Sequence, residues 1–426
     1  MSLESKLQGL QREIGLTESQ SRPESDGARI NITPRHRLED RLAGTVINTD
    51  AGSCFVAETN WAAHDPHGGQ LFSGLSRVSS AGLAMITKDS ELAYADLSHA
   101  VFLDTETTGL GLGAGTYVFL VGAGYLDGDV FRVKQFFLRG PGNEVAFLTA
   151  LADFLESFSA LVTFNGKAFD LPLLENRFVR HRRRLPFGDP PHVDLLHPAR
   201  RLWKRRLASC ALSSLESEIL GVRRTQQDVP GWEIPARYFR YQRTGDSREL
   251  EGVFYHNLHD ILSLAALTIH VDQVLADPFA GHVTHPVDFF SLGRAYERAG
   301  DADRSAMCFE EGLRRGIEGP DRTECLIRLS AVQKRERRWE AALQTWEWLL
   351  EEGGEAVLYA RVELAKYYEH VERDYLTALD HVQQALAIAQ LFDSPWPDAS
   401  ERDLNHRLSR LLNRSIQHRG WSAARV

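Results

Sequence analysis

Asp104-Thr105-Glu106-Thr107-Thr108-Gly109-Leu110 follows directly on the apolar run Ala100-Val101-Phe102-Leu103. A short apolar run closed by Gly109, Gly111, Gly113 and Gly115 reads as a core strand entering a glycine-rich turn. Along a strand, residues i and i+2 share a face, so Asp104 and Glu106 point the same way. Two carboxylates aimed at one place suit a hard divalent cation, but such an ion wants more oxygen ligands than a pair supplies.

Two further carboxylates stand where a fold can bring them in. Asp170 lies in Leu161-Val162-Thr163-Phe164-Asn165-Gly166-Lys167-Ala168-Phe169-Asp170, an apolar strand running into an Asn-Gly turn and then a helix expected from about Phe169 to His181. An acidic residue at a helix start also complements the dipole, so this position alone decides nothing. Asp260 lies in Tyr255-His256-Asn257-Leu258-His259-Asp260, within a helix expected from about Arg248 to Leu275. Ile261, Leu264, Ala265, Thr268 and Ile269 form an apolar stripe beside it. A carboxylate next to a buried stripe is costly unless it is paired or bound to metal.

The segments between agree on one arrangement. Tyr117–Val121, the turn Asp127-Gly128-Asp129 and Val130–Leu138 extend the first strand into a three-stranded meander. A helix from about Asn143 to Phe158 then leads to a strand over Ala160–Phe164.

In order and spacing, DTETTGL, FNGKAFD and YHNLHD resemble the three motifs of the DEDD, or DnaQ-like, exonucleases of the ribonuclease H-fold superfamily. The chain is most similar to the YprB-like group within it, which joins such a domain to tetratricopeptide repeats. His192–Leu196, Ser209–Glu216 and Asp228-Val229-Pro230-Gly231 add to the likeness, which spans roughly residues 98 to 275. The resemblance implies an α/β ribonuclease H-like nuclease domain. It also implies 3′–5′ exonucleolytic cleavage of single-stranded DNA or RNA, with two Mg²⁺ or Mn²⁺ ions held by Asp104, Glu106, Asp170 and Asp260. An inactive nucleic-acid- and protein-binding scaffold and a structure-directed endonuclease are the alternatives, because fold does not fix function.

In that superfamily the proton acceptor is a His five residues, or a Tyr four residues, before the last Asp. This chain has Tyr255 at minus five and His256 at minus four. Four helical residues return to within ~40° of one face and five overshoot to ~140°, which favours His256 over Tyr255. An imidazole with an ordinary pKa of ~6.5 is also better poised near neutrality than a phenol.

Thr107, Thr108, Gly109 and Leu110 are expected beside the terminal nucleotide, and Asn165 and Lys167 beside sugar or phosphate; Asn165 reads equally as a turn former. A basic segment follows, with Arg177, Arg180, Arg182, Arg183, Arg184, Arg200, Arg201, Lys204, Arg205 and Arg206. In a chain of formal charge −9, that concentration marks where a polyanion would bind, and Phe187 and Trp203 are expected to stack on bases.

Beyond about His285 the sequence is helical and self-similar. Leu292, Leu329 and Leu364 lie 37 and 35 residues apart, near the ~34-residue period of tetratricopeptide repeats. Three helix pairs and a final helix around Leu404–Ser415 would make an all-α tetratricopeptide-repeat-like solenoid, whose groove suits a peptide or protein partner. Toward the amino terminus, a short helix over residues 3–16, a flexible polar stretch to about Asp40 and a hairpin over Gly44–Ala57 are expected, the hairpin in a small β lobe. The expected units are thus 1–40, 41–96, 97–278 and 285–420.

At 43% hydrophobic and 25% charged residues, the chain is globular in composition. No run reads as a membrane span, and the first residues lack the basic-then-apolar pattern of a signal peptide. Cys54, Cys210, Cys308 and Cys325 show neither metal-ligand spacing nor a disulfide framework, so a reducing cytoplasm is the expected compartment.

Overall fold

The strand that carries Asp104 and Glu106, β5 (Ala100–Thr107), alternates between two cores. Ala100 and Phe102 join one, while Val101 and Leu103 join the other. Buried on both faces, β5 is central to its sheet, and it is described here from a computed structural model covering residues 36–423 other than 110, 112, 114, 187, 189, 226 and 391–395. The helix expected at 3–16, most of the polar stretch that follows it, Leu110 and Phe187 lie outside the described residues.

The meander continues through β6 (Val118–Asp127) and β7 (Val130–Phe137), both antiparallel to their predecessors. On the other side of β5, β8 (Ala160–Thr163) and β9 (His192–Asp194) run parallel. The hairpin β1 (Gly44–Thr49) and β2 (Gly52–Ala62) is not a separate lobe, because β2 pairs antiparallel with β7 over Phe55–Ala62. The result is a seven-stranded sheet in the order β1-β2-β7-β6-β5-β8-β9. A backbone edge at β7 would otherwise be unpaired, and the hairpin satisfies it. A two-stranded ladder, β3 (Pro66–His67) with β4 (Gln70–Leu71), lies apart from this sheet.

Helices cover both faces. On one side α2 (Glu144–Leu155), α3 (Asp170–Arg180) and α6 (Ile234–Thr244) bury Phe147, Leu151, Leu174, Phe178 and Tyr238 against the strands. On the other side lie α1 (Ser80–Thr87), α4 (Leu196–Trp203) and the 27-residue α7 (Leu250–Ala276). A four-residue helix, α5 (Leu212–Leu215), precedes α6. Two glycines of β6 let α7 approach: a Cβ at Gly122 would fall 2.3 Å from Asn257 Oδ1, and one at Gly124 would fall 2.4 Å from Ile261 Cγ2. That approach sets the third motif directly over the first.

By length and composition α7 is apolar enough to cross a membrane, contrary to the expectation that no run of this chain is. Its apolar residues serve the core instead, and 67% of its most apolar window is buried in the protein.

From Pro286 the chain forms antiparallel helix pairs: α8 (Pro286–Ala299) with α9 (Ala302–Arg314), α10 (Gly319–Arg335) with α11 (Trp339–Glu352), and α12 (Gly354–Tyr367) with α13 (Tyr375–Ala389). A last helix, α14 (Glu401–Ala423), packs on α13. Contacts of α8 with α10 and of α10 with α12 stack the pairs, an arrangement consistent with a repeat domain. The first pair is not set off by a linker. Phe289, Leu292, Ala295 and Tyr296 share a core with Val271, Val274 and Leu275 of α7.

That junction explains much of the basic segment. Arg205 pairs with Asp321 and, at 2.6 Å, with Glu324, while Arg206 reaches Asp288 at 3.0 Å. Arg201 donates to the Ile86 carbonyl. Arg205 and Arg206 thus fasten the sheet domain to α8 and α10, while Arg201 ties α4 to α1 within it. Arg177 is 2% exposed and forks onto Glu144, which also accepts from His181 at 2.8 Å. Trp203 is 3% exposed and stacks on His270, so it is a core residue and no platform for bases.

Candidate metal centre

Three elements converge at the end of β5. Asp104 and Glu106 come from the strand, Asp170 from the first turn of α3, and Asp260 from the middle of α7. Burial pushes the Asp104 carboxyl well above the usual range, and the charges of Asp260, Glu106 and Asp170 add to it. Glu106 is raised in the same way, by burial, Asp260 and Asp170. Burial brings Asp170 up to about 6, against the opposing hydrogen bond from Thr105. Carboxylates that favour one another's protonation so strongly form a site of concentrated negative charge.

Two of the acids are held by neighbours. Asn257 is fully buried, donates to Asp104 Oδ2 at 2.8 Å, and accepts from Gln135 at 2.9 Å. The Thr105 hydroxyl, on the opposite face of β5, donates to Asp170. Asp194 ties the second motif down, accepting from the backbone N–H groups of Asn165 at 2.8 Å and Lys167 at 3.1 Å. Asn165 adopts the left-handed conformation at φ 65°, as a turn former does.

His256 joins the acids. Its Nδ1 lies 2.8 Å from Asp228 Oδ1, and its Nε2 lies 3.5 Å from Asp260 Oδ2. Ligand atoms of Glu106, His256 and Asp260 all fall within 4.8 Å of one another. Nδ1 thus meets the Asp228 carboxylate, an acceptor, and the Arg224 guanidinium, a donor at 3.2 Å, while Nε2 faces the acids. Tyr255 is occupied elsewhere: its hydroxyl meets the Thr225 N–H and hydroxyl at 3.1 Å each, and its ring packs on His259.

Residues 101–271 match the family model of the RNase_H superfamily. Over 400 residues the chain is 33% identical to the protein YprB of Bacillus subtilis (strain 168), covering 91% of this chain and 94% of that one. The chain belongs to the YprB-like family. Its RNase H superfamily domain points to nuclease-type chemistry and nucleic-acid binding.

The softer expectations fare unevenly in this YprB-like chain. The Thr107 hydroxyl donates to the Gly109 carbonyl at 2.8 Å, and the Thr108 hydroxyl accepts from the Tyr117 N–H at 2.9 Å. Both close the glycine-rich loop on itself. The Lys167 ammonium lies 3.8 Å from Asp89. Arg182, Arg184 and Lys204 are exposed and Arg183 partly so, and none of the four carries an ion pair among the described residues. Sequence reasoning missed Thr105, Asn257, Arg224, Glu216 and the role of Asp228. Glu216 and Asp228 stand in segments that carry the family likeness, and Asn257 is a polar residue one turn from Ile261, but nothing in their spacing tells what they touch.

Proposed function

We propose that this protein is a metal-dependent nuclease that removes nucleotides from the 3′ end of single-stranded DNA or RNA, its helical repeats docking a protein partner. The observation that carries the reading is the meeting of Asp104, Glu106, Asp170 and Asp260, from three separate elements, at a place where burial raises the affinity of three of them for protons and neighbouring acids of the set add to it at Asp104 and Glu106. Oxygen donors in that number, with an imidazole nitrogen beside them, fit Mg²⁺ or Mn²⁺. Asp104, Glu106, Asp170 and Asp260 would hold the ions. When bound, such ions supply Lewis-acid stabilisation of the phosphate and activation of the attacking water.

The chain's own residues have separable tasks. Asn257 and Thr105 fix the orientation of Asp104 and Asp170, so that the carboxylates are arranged before substrate arrives. His256 Nε2, with Nδ1 engaged by Asp228, is placed to take a proton at the acids. Arg182, Arg183, Arg184 and Lys204 would position the phosphate backbone without reading its sequence.

Matched 5′-labelled single-stranded DNA and RNA, incubated with Mn²⁺, Mg²⁺ or EDTA beside Asp104→Ala, test the proposal. Stepwise shortening from the 3′ end, dependent on metal and absent in the variant, is the expected result. A single internal product would make the enzyme an endonuclease, and binding without cleavage in every lane would leave it a scaffold.

A further inference from the structure

Arg224 is a largely enclosed cation beside the acid cluster. Its side chain is 11% exposed, and Nε and Nη2 fork onto the Glu216 carboxylate at 2.8 and 2.5 Å. The same Nη2 also donates to Asp260. Nη1 lies 3.2 Å from His256 Nδ1 and 3.5 Å from Asp228 Oδ1. A π-helical turn over Glu216–Leu220, ended by Gly221 in the left-handed conformation, reverses the chain and brings Arg224 back over Glu216.

Glu216, itself 2% exposed, lies outside the four acids of the candidate centre. Nη2 has two hydrogens, one for Glu216 and one for Asp260, so the guanidinium bridges an anchor and a metal-ligand candidate. Burial works against its charge, but Glu216 and Asp260 outweigh it and hold the group protonated. Among the described residues no other lysine or arginine pairs with Asp104, Glu106, Asp170 or Asp260.

We propose that Arg224 is the resident counter-cation of this centre and competes with the divalent ion for Asp260. The inference rests on the metal-centre reading above. Arg224 hydrogen-bonds Asp260 Oδ1 while Oδ2 faces His256, so the guanidinium occupies one of the two oxygens this acid can offer a metal, and a dication arriving beside it is repelled. Asp260 must therefore exchange Arg224 for the ion, while the fork onto Glu216 keeps the guanidinium close by. Arg224 is a positioning residue on this view: it balances the acids without metal and sets how readily they accept one.

Mn²⁺ binding by the full chain, measured calorimetrically for wild type, Arg224→Gln and Arg224→Lys, tests the proposal. Arg224→Gln is expected to bind Mn²⁺ about tenfold or more tightly, since a positive charge is removed beside the ion. Arg224→Lys keeps the charge but gives up the fork onto Glu216, and is expected to bind Mn²⁺ less tightly than Arg224→Gln. Unchanged or weaker binding by Arg224→Gln would overturn the competition while leaving the metal centre standing, whereas wild type that binds no Mn²⁺ would overturn both. Should Arg224→Gln fail to fold, arginine-selective ¹⁵N labelling of wild type replaces it, with the Arg224 signal identified by its loss in Arg224→Lys. That signal is expected to move with Mg²⁺ along the binding curve, and a signal that stays still through saturation would overturn the proposal.

Discussion

The Asn257 amide nitrogen donates to both the carboxylate and the backbone carbonyl of Asp104, at 2.8 and 3.3 Å, and Gln135 in turn holds Asn257 at 2.9 Å. The third motif is thereby joined to the first through a side chain that belongs to neither acid set. Replacing Asn257 with Ala leaves Asp104 without its donor and Gln135 without one acceptor. A loss of about 1–3 kcal/mol in urea unfolding is expected, the usual cost of orphaned buried polar groups. Cleavage is expected to fall in the same variant when measured where it remains folded, and full activity would show that Asp104 needs no such support.

His256 and Tyr255 are adjacent in sequence and differ in their partners. His256 faces Asp260 and Asp228, whereas the Tyr255 hydroxyl is engaged by Thr225. His256→Ala is expected to lower turnover by roughly 10²–10⁴, the range of general-base catalysis, and Tyr255→Phe to change it only a few-fold. Single-turnover rates at saturating metal would decide, and the reverse order would move the proton acceptor to Tyr255.

Metal and pH should act together on stability. The Asp170 carboxyl is raised to about 6, so folding disfavours its charged form. Its penalty is absent below the unfolded pKa of ~3.9, grows as pH rises, and is complete above the folded value. Asp104 and Glu106 shift in the same direction and extend the effect. In EDTA the protein should therefore lose stability as pH rises through this window. Mn²⁺ should raise the Tm more at pH 7.5 than at pH 5, and thermal scans showing an equal gain at both would count against a metal site at these acids.

The junction between the sheet domain and the helices constrains truncation. Phe289, Leu292 and Tyr296 of α8 complete the core around Val271, Val274 and Leu275 of α7. A chain ending at residue 284 exposes that face, at about 1.5–3 kcal/mol for each large apolar side chain lost from burial. A chain ending at residue 316, which retains α8 and α9, is expected to melt well above it. Equal Tm values would show that the helices add nothing to the stability of the first domain.

Sequence alone determined the order of elements and the identity of the acids. Asp104 and Glu106 were legible because a strand repeats every two residues, and Asp260 because a carboxylate beside an apolar helical stripe is conspicuous. The meander, the strand over Ala160–Phe164 and the paired helices followed from local periodicity and turn residues in the same way, whereas the three-residue β9 did not. Tertiary structure alone decided which polar groups meet. Ten basic residues between the second and third motifs read as one patch, but Arg177 is buried on Glu144, and Arg205 and Arg206 are spent on α8 and α10. Trp203 read as a stacking platform and is core, while Asn257, Glu216 and Arg224 read as ordinary helix and loop residues and surround the acids. Periodicity reports the face of an element on which a residue sits. What that face packs against depends on contacts between residues far apart in the chain, and those contacts set the burial and charge on which the chemistry rests.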